Sequence, residues 1–155
     1  MDSRDLIEKL KEQNTWRLLG LGIITWGVYF AYYIKRQTDK INTHLDEDTA
    51  ISHGFIGSIF VMFYLSAALL IAYIIVPYGH PVEAVSDFAD IICGIMLLVW
   101  GFKARNRVNA VCSFNSNIKR WFHGFWTFLF TPLYFNYKVN QLNENSVEQA
   151  SFSET

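Results

Sequence analysis

Charged residues are absent from a long central part of this chain. Residues 54–76 contain no Asp, Glu, Lys or Arg and are almost entirely apolar. A helix of about 20 residues is about 30 Å long at 1.5 Å per residue, which matches the hydrocarbon core of a bilayer. A chain of 155 residues is too small to bury such a helix on all sides, so the missing charge predicts an integral membrane protein.

The chain has few cysteines, almost no net charge and no recognisable leader sequence. Each of these features argues against a class of protein. The two cysteines, Cys93 and Cys112, are too few for a disulfide framework and are expected to be reduced thiols. A net charge of −1 gives no overall attraction to nucleic acid, so we expect no nucleic-acid partner. The first residues alternate acids and bases without an apolar stretch, so no cleavable signal peptide is expected.

No sequence motif points to catalysis or to a bound metal. The chain lacks the GxSxG, HExxH, phosphate-loop and dinucleotide-binding patterns. Its 4 histidines do not show the close pairing that zinc ligands usually have. We therefore expect no catalytic residue, no metal and no cofactor.

Four apolar blocks divide the chain. They cover residues 15–34, 54–76, about 81–102 and 121–137. An amphipathic segment with apolar residues at helical spacing precedes the first block, and a polar segment without periodicity follows the fourth. The pattern predicts one all-α, multi-pass membrane domain over residues 1–140 and a disordered polar tail over residues 141–155.

The first and fourth blocks resemble each other. One alignment without gaps pairs four sets of aromatic residues, among them Trp16 with Trp121 and Tyr29 with Tyr134, and one set of helix breakers, Gly27 with Pro132. Glycine and proline are the residues that most strongly interrupt a helix. We therefore predict an internal repeat of two aromatic elements, with helix breaks at Gly27 and Pro132.

The basic residues distinguish two topologies. The loop between the second and third blocks contains no Lys or Arg, whereas bases follow the first, third and fourth blocks. If only the second and third blocks cross the bilayer, all 13 bases lie on the cytoplasmic side, as the positive-inside bias favours. We therefore favour a central transmembrane hairpin flanked by two aromatic-rich re-entrant or short membrane helices, with both termini cytoplasmic. Four full transmembrane helices are the alternative, in which the bases would be divided between the two sides.

Two acids lie where the third block enters the membrane. Counting back about 20 residues from Lys103 places Asp87 and Asp90 roughly 6 and 10 Å below the outer boundary. Ionised carboxylates at that depth are costly and suggest a proton- or cation-linked polar site, with Tyr73 as a hydrogen-bond donor. Two other interpretations are pairing inside the helix bundle and acids that complement the dipole of the first helical turns.

A group of basic and aromatic residues follows the third block. Its members are Lys103, Arg105, Arg107, Lys119, Arg120 and Trp121. Directly beneath a membrane, each base attracts anionic lipid by about 1 kcal/mol. The group therefore predicts either contacts with lipid headgroups or a cytoplasmic anchor that only sets the topology.

The first block and its basic exit carry a family resemblance. The segment LLGLGIITWGVYFAYYIKRQTDKIN, which begins at Leu18, contains Thr-Trp-Gly-Val-Tyr at residues 25–29. That string is similar to the Thr-x-Gly-Ile-Tyr pattern of the DUF4234 family, whereas the fourth block departs from it because Pro132 replaces the glycine. The resemblance implies a bacterial inner-membrane protein of unknown function and assigns no catalytic residue.

These observations predict a non-enzymatic membrane scaffold or accessory subunit. Its expected partners are membrane lipids and the helices of other membrane proteins or of a second copy of the chain. The first alternative is an oligomeric transporter or channel that moves protons or cations with Asp87 and Asp90. The second alternative is a lipid-modifying enzyme with an unfamiliar motif.

Overall fold

Six α-helices make up the computed structural model, which describes residues 3–114 and 120–153. They are α1 Ser3–Leu10, α2 Thr15–Ile24, α3 Val28–Asn42, α4 His53–Ile75, α5 Val82–Val111 and α6 Gly124–Ser153. No strand occurs within these two ranges. The predicted all-α fold class is therefore confirmed for the described residues.

Helices α4 and α5 form a central antiparallel hairpin. Near the middle of α4, Ser66 Oγ donates a hydrogen bond to Asp90 Oδ1. Near the start of α4, Lys103 Nζ lies 5.8 Å from the centre of the Phe55 ring. Within the described ranges, α4 is the one helix long and apolar enough to cross a membrane, with a mean hydropathy of 2.3. This finding allows a membrane location, and the multi-pass topology stays a prediction.

Helices α2 and α3 fold against each other across a turn at residues 25–27. Trp26 N–H donates to Ile23 O and Gly27 N–H donates to Gly22 O, the pair of bonds that closes a helix in a Schellman motif. Gly27 has a φ of 82°, and a Cβ at this position would lie 2.5 Å from the Phe63 ring of α4. Glycine is required here for both reasons, because it tolerates left-handed backbone and leaves room for the ring.

The chain reverses direction at this turn. The Tyr29 hydroxyl in the first turn of α3 donates to Gln13 Oε1, which precedes α2, at 2.9 Å. Gly22 of α2 packs directly on the Phe30 ring of α3. Residues 15–42 therefore form a helical hairpin whose turn rests on α4.

Helix α6 contains a second sharp bend, at Thr131 and Pro132. Thr131 leaves helical geometry, with φ 19° and ψ −100°. Proline lacks an N–H group and disfavours α conformation in the residue before it, which explains the break. Across the bend, the Tyr134 hydroxyl accepts a hydrogen bond from His123 N–H at 3.0 Å.

The bend of α6 rests on α5 at a glycine. A Cβ on Gly101 would lie 2.7 Å from Thr131 Cγ2 and 3.2 Å from Thr127 Cγ2. The two helix breaks thus lie at the positions that the alignment pairs, and each contacts one helix of the central hairpin. Whether the two elements derive from a duplication and whether they re-enter a membrane stay predictions.

The buried core lies at the end of the central hairpin that carries the bases. Trp100 is fully buried, and its Nε1 donates to Thr38 Oγ1 at 2.9 Å. Its ring contacts the edges of Tyr33 and Phe135. The core therefore joins α3, α5 and α6 at one place, and α1 covers it with three buried side chains, those of Leu6, Ile7 and Leu10.

The polar segment after residue 140, for which the sequence predicts a disordered tail, continues α6 as a helix as far as Ser153. Leu142 and Asn143 are buried, and Lys11 Nζ donates to Asn143 Oδ1 at 3.0 Å. The reason is that Val139 and Leu142 continue an apolar stripe at helical spacing that packs on α1. Residues 154–155 lie outside the described ranges.

Candidate membrane-contact site

Large apolar side chains are exposed on α2, α4, α5 and the part of α6 before its bend. We call this the apolar surface; it includes Trp16, Ile23, Ile24, Val61, Leu65, Ile71, Ile74, Ile75, Val85, Phe88, Ile91, Ile95, Phe125, Phe128 and Leu129. Water-soluble monomers rarely expose large contiguous apolar patches, and when they do the patch is a contact site for protein or membrane. The candidate functional site is therefore a surface and not an enclosed pocket.

The structure separates the two acids of the predicted polar site. Asp90 is half-buried and accepts a hydrogen bond from Ser66 of α4. Asp87 is exposed, and within the described ranges neither it nor Tyr73 makes a side-chain hydrogen bond. The structure therefore pairs Asp90 with Ser66, whereas the sequence analysis named Tyr73 as the donor, and it does not join Tyr73 to Asp87.

The predicted basic group is divided between two faces of α5. Arg107 Nε donates to Thr49 O at 2.5 Å, in the connection between α3 and α4, and Lys103 lies over Phe55 of α4. Arg105 lies on the other face, because residues two positions apart point in nearly opposite directions on a helix. Lys119 lies outside the described residues, and Arg120 is half-buried.

Arg105 and Trp121 do come together, at the start of α6. The Arg105 guanidinium lies 5.2 Å from the centre of the Trp121 ring and 5.9 Å from that of Phe102. Its Nε donates to Phe122 O at 2.6 Å, and its Nη1 donates to Asn106 Oδ1 at 3.1 Å. The guanidinium is therefore held in a defined plane by two hydrogen bonds and two rings.

A groove of about 530 Å³ opens between α2 and α6. We call it the aromatic groove; it is lined by Thr15, Trp16, Leu19, Trp126, Phe130, Leu133, Tyr134 and Tyr137. Asn136 Nδ2 donates to Thr15 Oγ1 at 3.0 Å and fixes the start of α2 against α6. The sequence analysis did not single out Leu19, Phe130, Leu133 or Tyr137, because only the pairing of α2 with α6 places them together.

The cysteines and histidines form no reactive centre in the described part of the chain. No group of three His, Cys, Asp or Glu side chains that could hold a metal ion is found there. Cys93 and Cys112 are buried, and neither is in a disulfide bond. Burial raises the pKa of the Cys112 thiol to about 11, so it is protonated at neutral pH.

Comparison with known proteins extends the family resemblance beyond its motif. A family model described as a domain of unknown function, DUF4234, matches residues 13–110. The match covers α2, α3, α4 and nearly all of α5, whereas α1 and α6 lie outside it. No match to a curated protein or to a solved structure was found. Because the model covers more than half of the chain, the protein belongs to the DUF4234 family.

Proposed function

We propose that this protein is a non-enzymatic scaffold or accessory subunit of the bacterial inner membrane. In this proposal α4 and the first two thirds of α5 cross the bilayer, and the α2–α3 turn and the bend of α6 enter it from the cytoplasmic side. The observation that carries the proposal is the apolar surface. It is exposed on these four elements, away from the end of the molecule that carries the Lys and Arg residues and most of the buried core. In this proposal, the part of the apolar surface that lies in the bilayer contacts lipids and the helices of partner membrane proteins.

The depth of the first helix break supports this arrangement. Phe63, which contacts the first turn, lies about 15 Å along α4 from His53, near the middle of a helix that spans a bilayer. Backbone that leaves helical geometry inside a membrane needs hydrogen-bond partners from the protein. At the first turn, the N–H groups of Trp26 and Gly27 have such partners within α2.

The distribution of Lys and Arg also supports a cytoplasmic location for the end of the molecule opposite the α4–α5 loop. The α4–α5 loop, residues 76–81, contains no Lys or Arg. At the opposite end, Glu12 pairs with Arg36 at 3.1 Å and with Lys40 at 2.7 Å, which holds the α1–α2 linker on α3. If two helices cross the bilayer, all Lys and Arg residues lie on one side, as the positive-inside bias favours.

Cysteine labelling in intact bacterial cells tests the topology. In a Cys93→Ala, Cys112→Ala background, Tyr78→Cys in the α4–α5 loop should react with a membrane-impermeant maleimide. Tyr78 is 94% exposed, so its surroundings offer no obstacle. Lys35→Cys should react only after the cells are made permeable. Labelling of Lys35→Cys in intact cells would contradict two crossings.

Site-specific photocrosslinking tests the partner contact. A photoreactive phenylalanine at Phe88, which is 64% exposed on the outer part of α5, should crosslink to lipid and to one defined membrane protein. The same group at Ala110, on the exposed cytoplasmic end of α5, serves as the control and should not capture that protein. Crosslinks to lipid alone would remove the accessory role.

Proton- or cation-linked transport remains the rival proposal, and the geometry of Asp90 favours a structural role instead. A carboxylate that accepts a hydrogen bond from Ser66 across the hairpin contributes to helix pairing. We expect Asp90→Asn to lower the melting temperature in detergent without changing proton flux in proteoliposomes. A loss of flux with unchanged stability would favour transport.

A further inference from the structure

We propose that the aromatic groove binds one anionic phospholipid, with an acyl chain between α2 and α6 and the phosphate at Arg105. This inference rests on the membrane location proposed above and deepens it by naming the lipid site. It concerns one bound molecule in a defined orientation and not the general layer of lipid around the apolar surface.

The size and the walls of the groove suit an acyl chain. Its volume of about 530 Å³ falls within the range of about 300–1,000 Å³ that is usual for ligand sites. None of the eight lining residues is charged. Trp16 is 78% exposed and Phe130 is 50% exposed, so one side of the groove is left open by the residues that the structure describes.

The groove changes in polarity along its length. The end near the bend of α6 is formed by Phe130, Leu133 and Leu19, with the Trp126 ring stacked on Phe130 at 6.0 Å, and its one polar group is the Trp126 indole N–H. The end near the start of α2 is formed by Trp16, Tyr134 and Tyr137, whose rings carry polar groups. Trp and Tyr favour the level of lipid headgroups, so this gradient has the polarity of a lipid.

Arg105 lies beside the polar end. His123 N–H donates to the Tyr134 hydroxyl, and the next residue, Gly124, has its Cβ position 3.6 Å from Arg105 Nη1. Arg105 and Tyr134 therefore flank the start of α6. Within the described residues Arg105 Nη2 has no hydrogen-bond partner, so the fixed guanidinium retains donors for a phosphate oxygen.

A phospholipid fits this arrangement better than a second copy of the chain. A second copy docked on the same face would bring another Arg105 and the same aromatic side chains toward the first, without an anion to offset the charge. A phospholipid supplies both the apolar chain and the anion that the two ends require.

Native mass spectrometry of the full-length protein in detergent tests the proposal. The probe is dioleoyl phosphatidylglycerol, and the expected result is one lipid retained per chain. Leu19→Trp fills the groove and should lower this binding at least fivefold. Ile95→Trp, which adds the same ring to an exposed position of α5, is the matched control and should bind like the parent.

A second pair of variants tests the phosphate contact. Arg105→Ala should weaken binding at least fivefold, and Arg105→Lys should restore part of it. Arg107→Ala removes a base from the opposite face of α5 and should leave binding unchanged. Thermal unfolding of each variant identifies any loss of folding. If Arg105→Ala unfolds, Leu19→Trp still tests the proposal, because the Leu19→Trp variant keeps the contacts of the Arg105 guanidinium.

Several outcomes would overturn the inference. Equal binding by the parent, Leu19→Trp and Arg105→Ala would mean that the lipid is held only by the general apolar surface. Equal binding of glycerol phosphate, which lacks acyl chains, would mean a free phosphate site. A parent dimer that Leu19→Trp dissociates without loss of lipid would mean a second copy in the groove. If Tyr78→Cys and Lys35→Cys label as expected in such a case, the inference alone fails and the membrane topology stands.

Discussion

Trp100 shows how one residue connects an apolar segment to a tertiary core. The sequence places it near the end of the third apolar block, where a lipid-facing position would be equally reasonable. In the structure it is fully buried, donates to Thr38 and contacts the edges of Tyr33 and Phe135. Tyr33 beside it is also fully buried, but its hydroxyl has no hydrogen-bond partner among the described residues.

Substitutions of these two aromatic residues by Phe should have opposite effects on stability. Trp100→Phe leaves the Thr38 hydroxyl without its donor and leaves a cavity, which should destabilise the fold by about 2–4 kcal/mol. Tyr33→Phe removes an unpaired hydroxyl and should stabilise it by about 1 kcal/mol. Chemical unfolding in detergent measures both changes. Equal destabilisation by both variants would show that the Tyr33 hydroxyl has a partner in solution.

Cys112 should react slowly with alkylating reagents in the folded protein. In a Cys93→Ala variant it is the only thiol, and burial raises its pKa to about 11. Because the thiolate is the reactive form, the rate with iodoacetamide should rise about tenfold per pH unit between pH 7 and pH 10. A mass-resolved time course measures this rate. A rate that levels off near pH 8.5 would mean an ordinary, accessible thiol.

At the scale of elements, the helix breaks depend on residues whose effect is local. Gly27 and Pro132 interrupt helices because of backbone conformation and a missing N–H group, and both properties belong to the residue itself. The ends of the helices are different. Helix α5 continues to Val111 and α6 to Ser153, beyond the apolar blocks. Val108 on the first extension and Val139 and Leu142 on the second are buried in the core.

Two glycines of α5 provide a matched test of the contact with α6. Gly101→Ala places a methyl group 2.7 Å from Thr131 Cγ2 and should destabilise the fold by about 1–3 kcal/mol through overpacking. Gly94→Ala meets no atom within 4 Å and should be neutral, or stabilising by up to about 1 kcal/mol through helix propensity. Melting temperatures in detergent compare the two. Similar values would contradict close packing at Gly101.

At the scale of the whole molecule, the apolar surface and the buried core occupy different parts of the structure. The core takes buried side chains from all six helices, including Ile56, Ile59 and Phe63 of α4, and the apolar surface covers the other faces of α4, the outer part of α5 and the two bent elements. The proposed membrane location accounts for both features, because apolar side chains that contact lipid do not need to be buried in a protein core.

A lysine on the apolar surface tests this division. Leu65 is 46% exposed near the middle of α4, so Leu65→Lys should cost about 2.5–3.5 kcal/mol of membrane insertion. Ala110→Lys, at the exposed C-terminal end of α5, should have little effect. The fraction of protein that resists carbonate extraction measures insertion. Full insertion of Leu65→Lys would argue that this face of α4 does not meet lipid.

The sequence by itself determined the helical class, the family and the positions of the breaks at Gly27 and Pro132. These depend on hydrophobic pattern, on a local motif and on the backbone properties of single residues. Tertiary structure alone decided that Asp90 pairs with Ser66, that Arg105 meets the start of α6, and that Leu142 and Asn143 are buried beside α1. It also formed the aromatic groove, because α2 and α6 lie far apart in the chain and meet only through long-range packing that no local pattern encodes.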